Sequence, residues 1–317
     1  MLILPRYVIV TPARNEAQFI ELTIKSMVCQ TIPPVKWIIV SDGSTDGTDE
    51  IVERYASEHP WIELIRMPVR CERNFAGKVH AFNAGYAKAA MLEFELIGSM
   101  DADVSFDQDY FENLIAKFAN NSLLGVGGTP YQEFTQQRKL NIAYDYRVAN
   151  PEDVPGICQL FRRRCFEEIG GYLPITEGNI DSIAVLSARK LGWQTKTFAD
   201  SICIHHRISG TAIGGVLTAR FKSGIKGYAL GYHPLWQLFR ITYQITRRPY
   251  VTGALAIMSG YVWSLIQHKK RPVSSELVVF LRQEQMQRLR QILVSKCTLV
   301  KKNSKSMEEG SAKKVNG

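Results

Sequence analysis

Four aspartates in the first third of the chain occur as two pairs. Asp42 and Asp46 lie within the loop sequence 41–48, which is rich in Ser, Thr and Gly. Asp101 and Asp103 flank a single alanine. Two carboxylates spaced in this way can place oxygen atoms on one hard divalent cation, which can in turn bind phosphate. A turn or helix cap explains Asp46 equally well, but it does not require both Asp101 and Asp103. We therefore predict a functional site at the second pair.

Each pair follows an apolar run that is typical of a buried parallel strand, at 37–40 and at 94–98. Further strands are predicted at 7–11 and 62–66, with helical segments between them. Strands that alternate with helices at this spacing indicate an α/β fold with a mostly parallel, Rossmann-like central sheet flanked by helices. Open α/β sheets bind ligands at the carboxyl ends of their strands, so both aspartate pairs are expected at that edge.

Two common nucleotide-binding motifs are missing. No G-x-G-x-x-G sequence follows the first predicted strand, which argues against a nicotinamide-dependent enzyme. Gly77-Lys78 does not belong to a G-x-x-x-x-G-K-[ST] motif, so it is not a Walker sequence.

The composition is that of an ordinary globular protein. The chain is 45% hydrophobic and 22% charged. Its 317 residues can form either one large α/β domain or one domain plus an appendage. Six cysteines have no C-x-x-C spacing, which argues against a zinc ribbon or disulfide scaffold and suits a reducing cytosol. Residues 1–6 lack the pattern of a signal peptide. We therefore expect a cytoplasmic protein.

Charge is distributed unevenly along the chain. Residues 1–200 carry a net charge of −6, whereas residues 201–317 carry +15. An acidic half joined to a basic half is poorly suited to gripping duplex nucleic acid, so no nucleic-acid partner is expected. The basic half suits attachment to an anionic surface, and we predict association with the inner face of the cell membrane. For residues 301–317 the alternative is a solvated, disordered tail.

Five motifs in order resemble those of a known family. The motifs are the strand end 12–16, the loop 41–46, Gly77-Lys78, the pair 101–103, and Gly170-Gly171-Tyr172 with a later acidic site near residue 181. Together they look like a family 2 glycosyltransferase of the GT-A fold, of the non-processive bacterial polysaccharide type. The resemblance covers roughly residues 5–207.

The resemblance implies roles for the matching residues. The nucleotide of a nucleoside diphosphate sugar would contact a set of side chains and backbone groups at the strand ends: Pro12, Ala13, Glu16, Asp42, Lys78 and Asp101. Asp103 would bind the Mg²⁺ or Mn²⁺ that neutralises the departing diphosphate. For Lys78 the alternative is a surface lysine at the start of a helix.

The second acidic site departs from the family pattern. Members usually have an adjacent Glu-Asp pair after the Gly-Gly-aromatic turn, whereas Ile180 stands before Asp181 here. Asp181 is the candidate general base that removes the proton of the acceptor hydroxyl in an inverting transfer, and Glu177 is the substitute. Capping of the helix that follows is the alternative explanation for Asp181.

A histidine pair follows the last predicted strand of this region. Neutral imidazole can bind a metal ion, so His205 or His206 is predicted to reach the same cation as Asp103. Which of the two does so is open, and either could be purely structural. Arg207 could instead contact the diphosphate through a bidentate interaction.

The C-terminal third suggests contact with a membrane. The uncharged stretch 250–267 has basic residues on both sides and is too short for a clear spanning helix, so an interfacial, a spanning and a buried helix remain open. Residues 278–293 form a further predicted amphipathic helix. Gln237-Leu238-Phe239-Arg240 resembles the Q-x-x-R-W motif of processive synthases, but lacks the tryptophan and is given no special role.

The sequence thus predicts three regions. They are a catalytic GT-A domain over 1–207, a helical, basic, membrane-proximal extension over 208–299, and a disordered tail over 300–317. Within the catalytic domain, a nucleotide-binding part is predicted over about 1–104 and an acceptor part over about 105–207. The expected activity is inverting, metal-dependent transfer of a sugar from a nucleoside diphosphate sugar to a hydroxyl of a glycan or lipid-linked acceptor in polysaccharide biosynthesis. A nucleotidyltransferase acting on sugar phosphates and a catalytically degenerate binding module are the alternatives.

Overall fold

Strands and helices alternate along the first part of the chain. The computed structural model describes residues 3–69, 75–134, 140–142, 150–176, 178–207 and 215–294. The chain divides into two units, Met1–Ile213 and Gly214–Gly317. The strands of the first unit are β1 (Tyr7–Ala13), β2 (Lys36–Asp42), β3 (Ile62–Met67), β4 (Leu96–Met100), β5 (Val104–Ser105), β6 (Leu124–Gly128), β7 (Tyr131–Phe134), β8 (Leu140–Ile142), β9 (Cys158–Arg162), β10 (Gln194–Thr197) and β11 (Cys203–His205). Its helices are α1 (Ile20–Val28), α2 (Thr48–Glu58), α3 (Phe75–Ala89), α4 (Tyr110–Ala119), α5 (Arg163–Glu168) and α6 (Ile180–Lys190).

The central sheet confirms the predicted mixed α/β fold. Its seven strands have the order β10-β6-β9-β4-β1-β2-β3. Six of them run in one direction, and β9 alone is antiparallel to both of its neighbours, β4 and β6. A second, four-stranded sheet has the order β5-β11-β7-β8. The sheet is therefore mostly parallel, as the spacing of the apolar runs predicts.

The central strands are apolar on both faces because helices cover both sides of a parallel sheet. Val8, Ile9 and Val10 of β1 are fully buried, and so are residues 37–40 of β2. Gly98 of β4 allows close packing, since a Cβ atom there would overlap the Ile9 side chain. Strand β4 begins and ends two residues later than the predicted run at 94–98. Its last residue, Met100, therefore directly precedes Asp101.

One arginine of the run 162–164 has a structural role that the sequence does not reveal. This residue is Arg162, which is partly buried. Its guanidinium donates hydrogen bonds to three backbone carbonyl oxygens in the last turn of α4 and just after it, those of Phe118, Asn121 and Leu124. Arg162 thereby joins the end of β9 to the connection between α4 and β6.

The described part of the second unit, residues 215–294, is helical. Its helices are α7 (Val216–Ala229), α8 (Pro234–Gln244), α9 (Tyr250–Ile266) and α10 (275–294). Helices α7 and α9 pack at close range, because a Cβ atom on Gly224 or Gly260 would overlap backbone atoms of the facing helix. No helix within the described ranges is both long enough and apolar enough to cross a bilayer.

Helix α9 has two apolar faces. One face, which includes Ala254, Ile257 and Ser264, is buried against the neighbouring helices. The other face remains exposed over most of its length, and Val251, Leu255, Trp263, Leu265 and Ile266 are each more than half exposed. The stretch 250–267 thus combines a buried helix with an apolar surface.

Candidate active site

The first group of predicted site residues lies at the carboxyl ends of β1 and β2. These strands are parallel neighbours, and Ala13 of β1 pairs with Ser41 of β2, so Pro12, Ala13 and Asp42 reach the same edge of the sheet. Asp42 is buried and lies 3.8 Å from the guanidinium of Arg14. This carboxylate is therefore held beside a cation where open α/β sheets bind ligands.

The loop 41–48 is tied to the loop that follows β1. Asp46 accepts hydrogen bonds from the backbone N–H groups of Ala17 and Thr48, at 3.0 and 3.1 Å. Burial alone would raise the pKa of Asp46, but these bonds and one from the Thr48 hydroxyl lower it below the ordinary value. The side chain of Asp46 thus organises the turn that precedes α2, which is the turn-forming explanation left open by the sequence.

Glu16 lies between the two loops and the end of β11. Its backbone N–H donates to the Thr48 hydroxyl at 2.8 Å, and its buried carboxylate accepts from Arg207. Arg207 also places its Nε 3.5 Å from Asp103. One guanidinium therefore joins the predicted nucleotide loop to the second aspartate pair.

The second aspartate pair lies directly after β4 and is positioned by two strand pairings. The backbone N–H of Asp101 donates to a carbonyl of the segment before β9, that of Ile157, at 2.8 Å. Strand β5 pairs with β11 so that Val104 lies opposite His205. As a result, the His205 Nε2 atom lies 3.3 Å from an Asp103 oxygen, although the two residues are a hundred positions apart in the chain.

A second carboxylate contacts the other side of the His205 ring. Glu133 on β7 pairs with His205 on the neighbouring parallel strand, and its Oε1 lies 3.3 Å from Nδ1. Burial would lower the pKa of His205, but Asp103 and Glu133 raise it to about 10. The imidazole is thus held between two acidic groups, with Nε2 directed at the aspartate pair.

Asp101, Asp103 and His205 together have the chemistry of a divalent metal site. One oxygen from each aspartate and one imidazole nitrogen lie within 4.8 Å of one another. Carboxylate oxygens suit Mg²⁺ and Mn²⁺, and imidazole is a common ligand of transition metals such as Mn²⁺. The donor set therefore fits a divalent cation, and Glu133 lies where a group that orients a histidine ligand would lie.

The structure brings only one of the two predicted histidines into this group. The His206 Nε2 atom lies 2.9 Å from the Ser105 hydroxyl, and the ring stacks on Phe19. Burial lowers the pKa of His206. Among the described residues, the cluster that could hold a metal contains His205 and not His206.

Lys78 contacts Asp101 rather than standing free at the surface. Its ammonium group forms a salt bridge with this carboxylate, and both side chains are about one quarter exposed. Burial would lower the pKa of Lys78, but Asp101, Asp181 and Asp103 raise it. Burial and the neighbouring Asp103 raise the pKa of Asp101, whereas His205 and Arg207 hold the pKa of Asp103 below its ordinary value. Lys78 therefore compensates the charge of three carboxylates.

Asp181 belongs to the same electrostatic group, although it lies on another helix. It is in the first turn of α6, and the cap position is occupied by Asn179. Its carboxylate packs against Gly156, where a Cβ atom would lie 2.5 Å from Oδ2. The next residue, Ile157, accepts a hydrogen bond from the Asp101 backbone N–H, so Asp181 lies on the side of the site that contains Asp101. The charge of Asp181 also contributes to the raised pKa of Lys78. The substitute candidate, Glu177, falls outside the described residues.

Sequence reasoning missed Glu133 and the pairing of Glu16 with Arg207. Glu133 lies in the short strand sequence Tyr131–Phe134, which contains no motif. The Glu16–Arg207 contact joins residues 191 positions apart. In neither case does a local pattern signal the contact, because both arise from the packing of distant strands.

Comparison with known proteins identifies the family of the chain. The family model described as glycosyl transferase family 2 matches residues 8–183, which is more than half of the chain. A poly-beta-1,6-N-acetyl-D-glucosamine synthase of Staphylococcus epidermidis is 31% identical over 117 residues, covering 37% of this chain and 26% of the synthase. The putative teichuronic acid biosynthesis glycosyltransferase TuaG of Bacillus subtilis is 27% identical over 155 residues, covering 46% of this chain and 58% of TuaG. The chain thus matches about a quarter to three fifths of these relatives' length.

Solved structures show the same fold at low sequence identity. The mannosyltransferase PcManGT of Pyrobaculum calidifontis, in complex with GDP-Man and Mn²⁺, has a TM-score of 0.55 and 19% identity, with 90% of this chain and 81% of that chain covered. S. aureus TarS 1-349, in complex with UDP-GlcNAc, has a TM-score of 0.51 and 11% identity, with 89% and 81% covered. The predicted family and the mixed α/β fold are confirmed: the chain belongs to glycosyl transferase family 2.

Proposed function

We propose that the chain transfers a sugar, with inversion, from a nucleoside diphosphate sugar to a hydroxyl group of a glycan or lipid-linked acceptor in polysaccharide biosynthesis. The observation that carries the proposal is the convergence of Asp101, Asp103, His205 and Lys78 beside Asp181. A nucleoside diphosphate sugar needs a divalent cation and positive charge at its diphosphate, and transfer needs a base at the acceptor.

The residues at the ends of β1 and β2 would hold the nucleotide. Pro12 and Ala13 offer backbone groups, and Asp42 offers a carboxylate that can accept hydrogen bonds from a base or ribose. Glu16 is held in position by Arg207 and Thr48. Relatives that bind GDP-Man and UDP-GlcNAc share this fold, which supports a nucleotide sugar without specifying its base.

The second aspartate pair would hold the diphosphate end of the donor. A bound Mg²⁺ or Mn²⁺ supplies Lewis-acid stabilisation of the negative charge that develops on the leaving diphosphate. Asp101, Asp103 and His205 would hold that cation, and Glu133 would fix the His205 ring so that Nε2 is its ligand atom. Lys78 and Arg207 add two positive charges at the same place.

Asp181 would act on the acceptor. Its carboxylate is partly exposed in the first turn of α6 and lies near, but outside, the metal-ligand set. From there it would take the proton from the acceptor hydroxyl as that oxygen attacks the anomeric carbon from the side opposite the diphosphate.

An anionic membrane surface would hold the protein near a lipid-linked acceptor. Residues 215–294 contain twelve Lys and Arg and two Asp and Glu, and the exposed face of α9 is apolar. Apolar side chains beside basic ones are typical of segments that lie in a membrane interface. We expect the protein to bind anionic liposomes at low salt, and failure to do so would remove the membrane from the proposal.

The proposal is tested with a panel of nucleoside diphosphate sugars, with Mg²⁺ or Mn²⁺ and release of free nucleoside diphosphate as the readout. Metal-dependent release from one donor is expected, together with its loss in Asp103→Ala. Donor binding is expected to persist in Asp181→Ala while transfer is lost. Pyrophosphate release from a nucleoside triphosphate would instead indicate a nucleotidyltransferase. If the protein neither turns over nor binds any donor in the panel, the proposed activity is refuted.

A further inference from the structure

The second unit contains two arginines that lack acidic partners. Arg220 on α7 and Arg240 on α8 are both half-buried, and no salt bridge within the described ranges involves either of them. Burial lowers the pKa of Arg220, and the neighbouring Arg240 guanidinium lowers it further. Because arginine stays charged in proteins, these two like charges repel each other, and a bound anion would offset the repulsion.

Contacts between α7 and α8 hold Arg240 against the face of α7 that carries Arg220. Arg240 donates to the Ser223 hydroxyl at 2.8 Å and to Gln237 Oε1 at 3.1 Å. Ser223 lies one turn after Arg220 on the same face of α7. Gly227 continues that face, and a Cβ atom there would come within 3.1 Å of Gln237 and Arg240. The absence of a side chain at residue 227 thus permits Gln237 and Arg240 of α8 to approach α7 closely.

Two buried donors at this place have no acceptor. The Nε of Arg220 and the Nε2 of Gln237 are inaccessible to water and have no hydrogen-bond partner among the described residues. Gln237 is only 3% exposed. A buried donor without a partner costs free energy, so native proteins retain few of them. Unpaired donors and unpaired positive charge at one position both indicate a missing anion.

We propose that Arg220, Arg240 and Gln237 form a phosphate-binding site in the helical unit. Two guanidinium groups and an amide offer N–H donors to several oxygens of one phosphate group, which is the geometry in which arginine binds phosphate. The phosphate group can belong to a lipid headgroup or to a free phosphate. The site shares no residue with the candidate active site, and its test requires no sugar transfer.

The test compares Arg220→Gln with Lys269→Gln, which removes the same charge from an exposed position of the same unit. Binding of inorganic phosphate is measured by calorimetry in metal-free buffer at constant ionic strength. We expect Arg220→Gln to weaken binding about tenfold or more, because charge-assisted hydrogen bonds are lost, and Lys269→Gln to leave it unchanged. Equal effects of the two variants, or no phosphate binding by the unmodified protein, would overturn the proposal.

Vesicles of phosphatidylcholine with and without phosphatidic acid distinguish the two sources. Weaker binding of Arg220→Gln to the phosphatidic acid vesicles, relative to Lys269→Gln, assigns the site to a lipid headgroup. An effect on inorganic phosphate alone assigns it to a free phosphate. Thermal unfolding without phosphate shows whether Arg220 binds phosphate or instead stabilises the fold. If it binds phosphate, Arg220→Gln is expected to unfold at the same or a higher temperature than the unmodified protein, since the substitution removes the repulsion between Arg220 and Arg240. A clear loss of stability would show that Arg220 holds the fold and would contradict the inference.

Discussion

Substitution of Gly156 by alanine is expected to impair catalysis by displacing Asp181. A Cβ atom at residue 156 would lie 2.5 Å from Asp181 Oδ2 and 2.8 Å from its Cβ and Cγ. Ordinary contacts between such atoms need about 3.5 Å or more, so the carboxylate must move by roughly 1 Å. A misplacement of that size can cost about 100-fold in rate, or roughly 2.7 kcal/mol of transition-state stabilisation.

The assay separates donor binding from transfer. Because Asp181 lies outside the predicted nucleotide and metal sets, Gly156→Ala is expected to lower kcat for transfer while the Kd for the donor stays the same. Gly215→Ala is the control, since a Cβ atom there meets nothing within 4 Å. Unfolding temperatures of both variants show whether the fold is retained.

A double-mutant cycle decides whether the effect acts through Asp181. Residues that act as one unit give non-additive effects. Gly156→Ala is therefore expected to cause no further loss in the Asp181→Asn background. Full activity in Gly156→Ala with its fold retained would refute the role of Asp181 at this position, and an equal loss in both backgrounds would show that residue 156 acts by another route.

Two further outcomes are expected. Glu133→Ala should weaken Mn²⁺ binding by about 10- to 100-fold, because His205 loses the group that orients it; binding is followed by electron paramagnetic resonance. Glu133→Gln should recover part of the affinity, because an amide oxygen still accepts a hydrogen bond from His205 Nδ1. Equal Mn²⁺ affinity of the unmodified protein and both variants would contradict this role. Asp46→Ala should lower the unfolding temperature at neutral pH, and the difference should narrow as the pH falls below about 4. The sign follows from the lowered pKa of folded Asp46, whose stabilising effect is present above the unfolded pKa and is lost as the carboxylate becomes protonated. A difference that is the same at every pH would mean that the hydrogen bonds of the ionised carboxylate do not matter.

Most of the first unit follows from local patterns in the sequence. Buried runs such as 7–11 and 37–40 predict strands because parallel strands are apolar on both faces. The aspartates that follow them predict a ligand edge because strand ends meet there. The antiparallel direction of β9 does not follow from the sequence, since its apolar residues carry no mark of direction and its neighbouring strands are distant in the chain.

By itself the sequence determined the family, the alternating elements and the aspartate pairs, because periodicity and turn chemistry are properties of neighbouring residues. Only the tertiary structure decided that His205 faces Asp103 while His206 contacts Ser105, since the register of β5 with β11 selects between adjacent residues. The contact of Asp181 with Gly156 likewise required the packing of segments far apart in the chain. Such contacts depend on the complementary shape of two surfaces, which no single stretch of sequence contains.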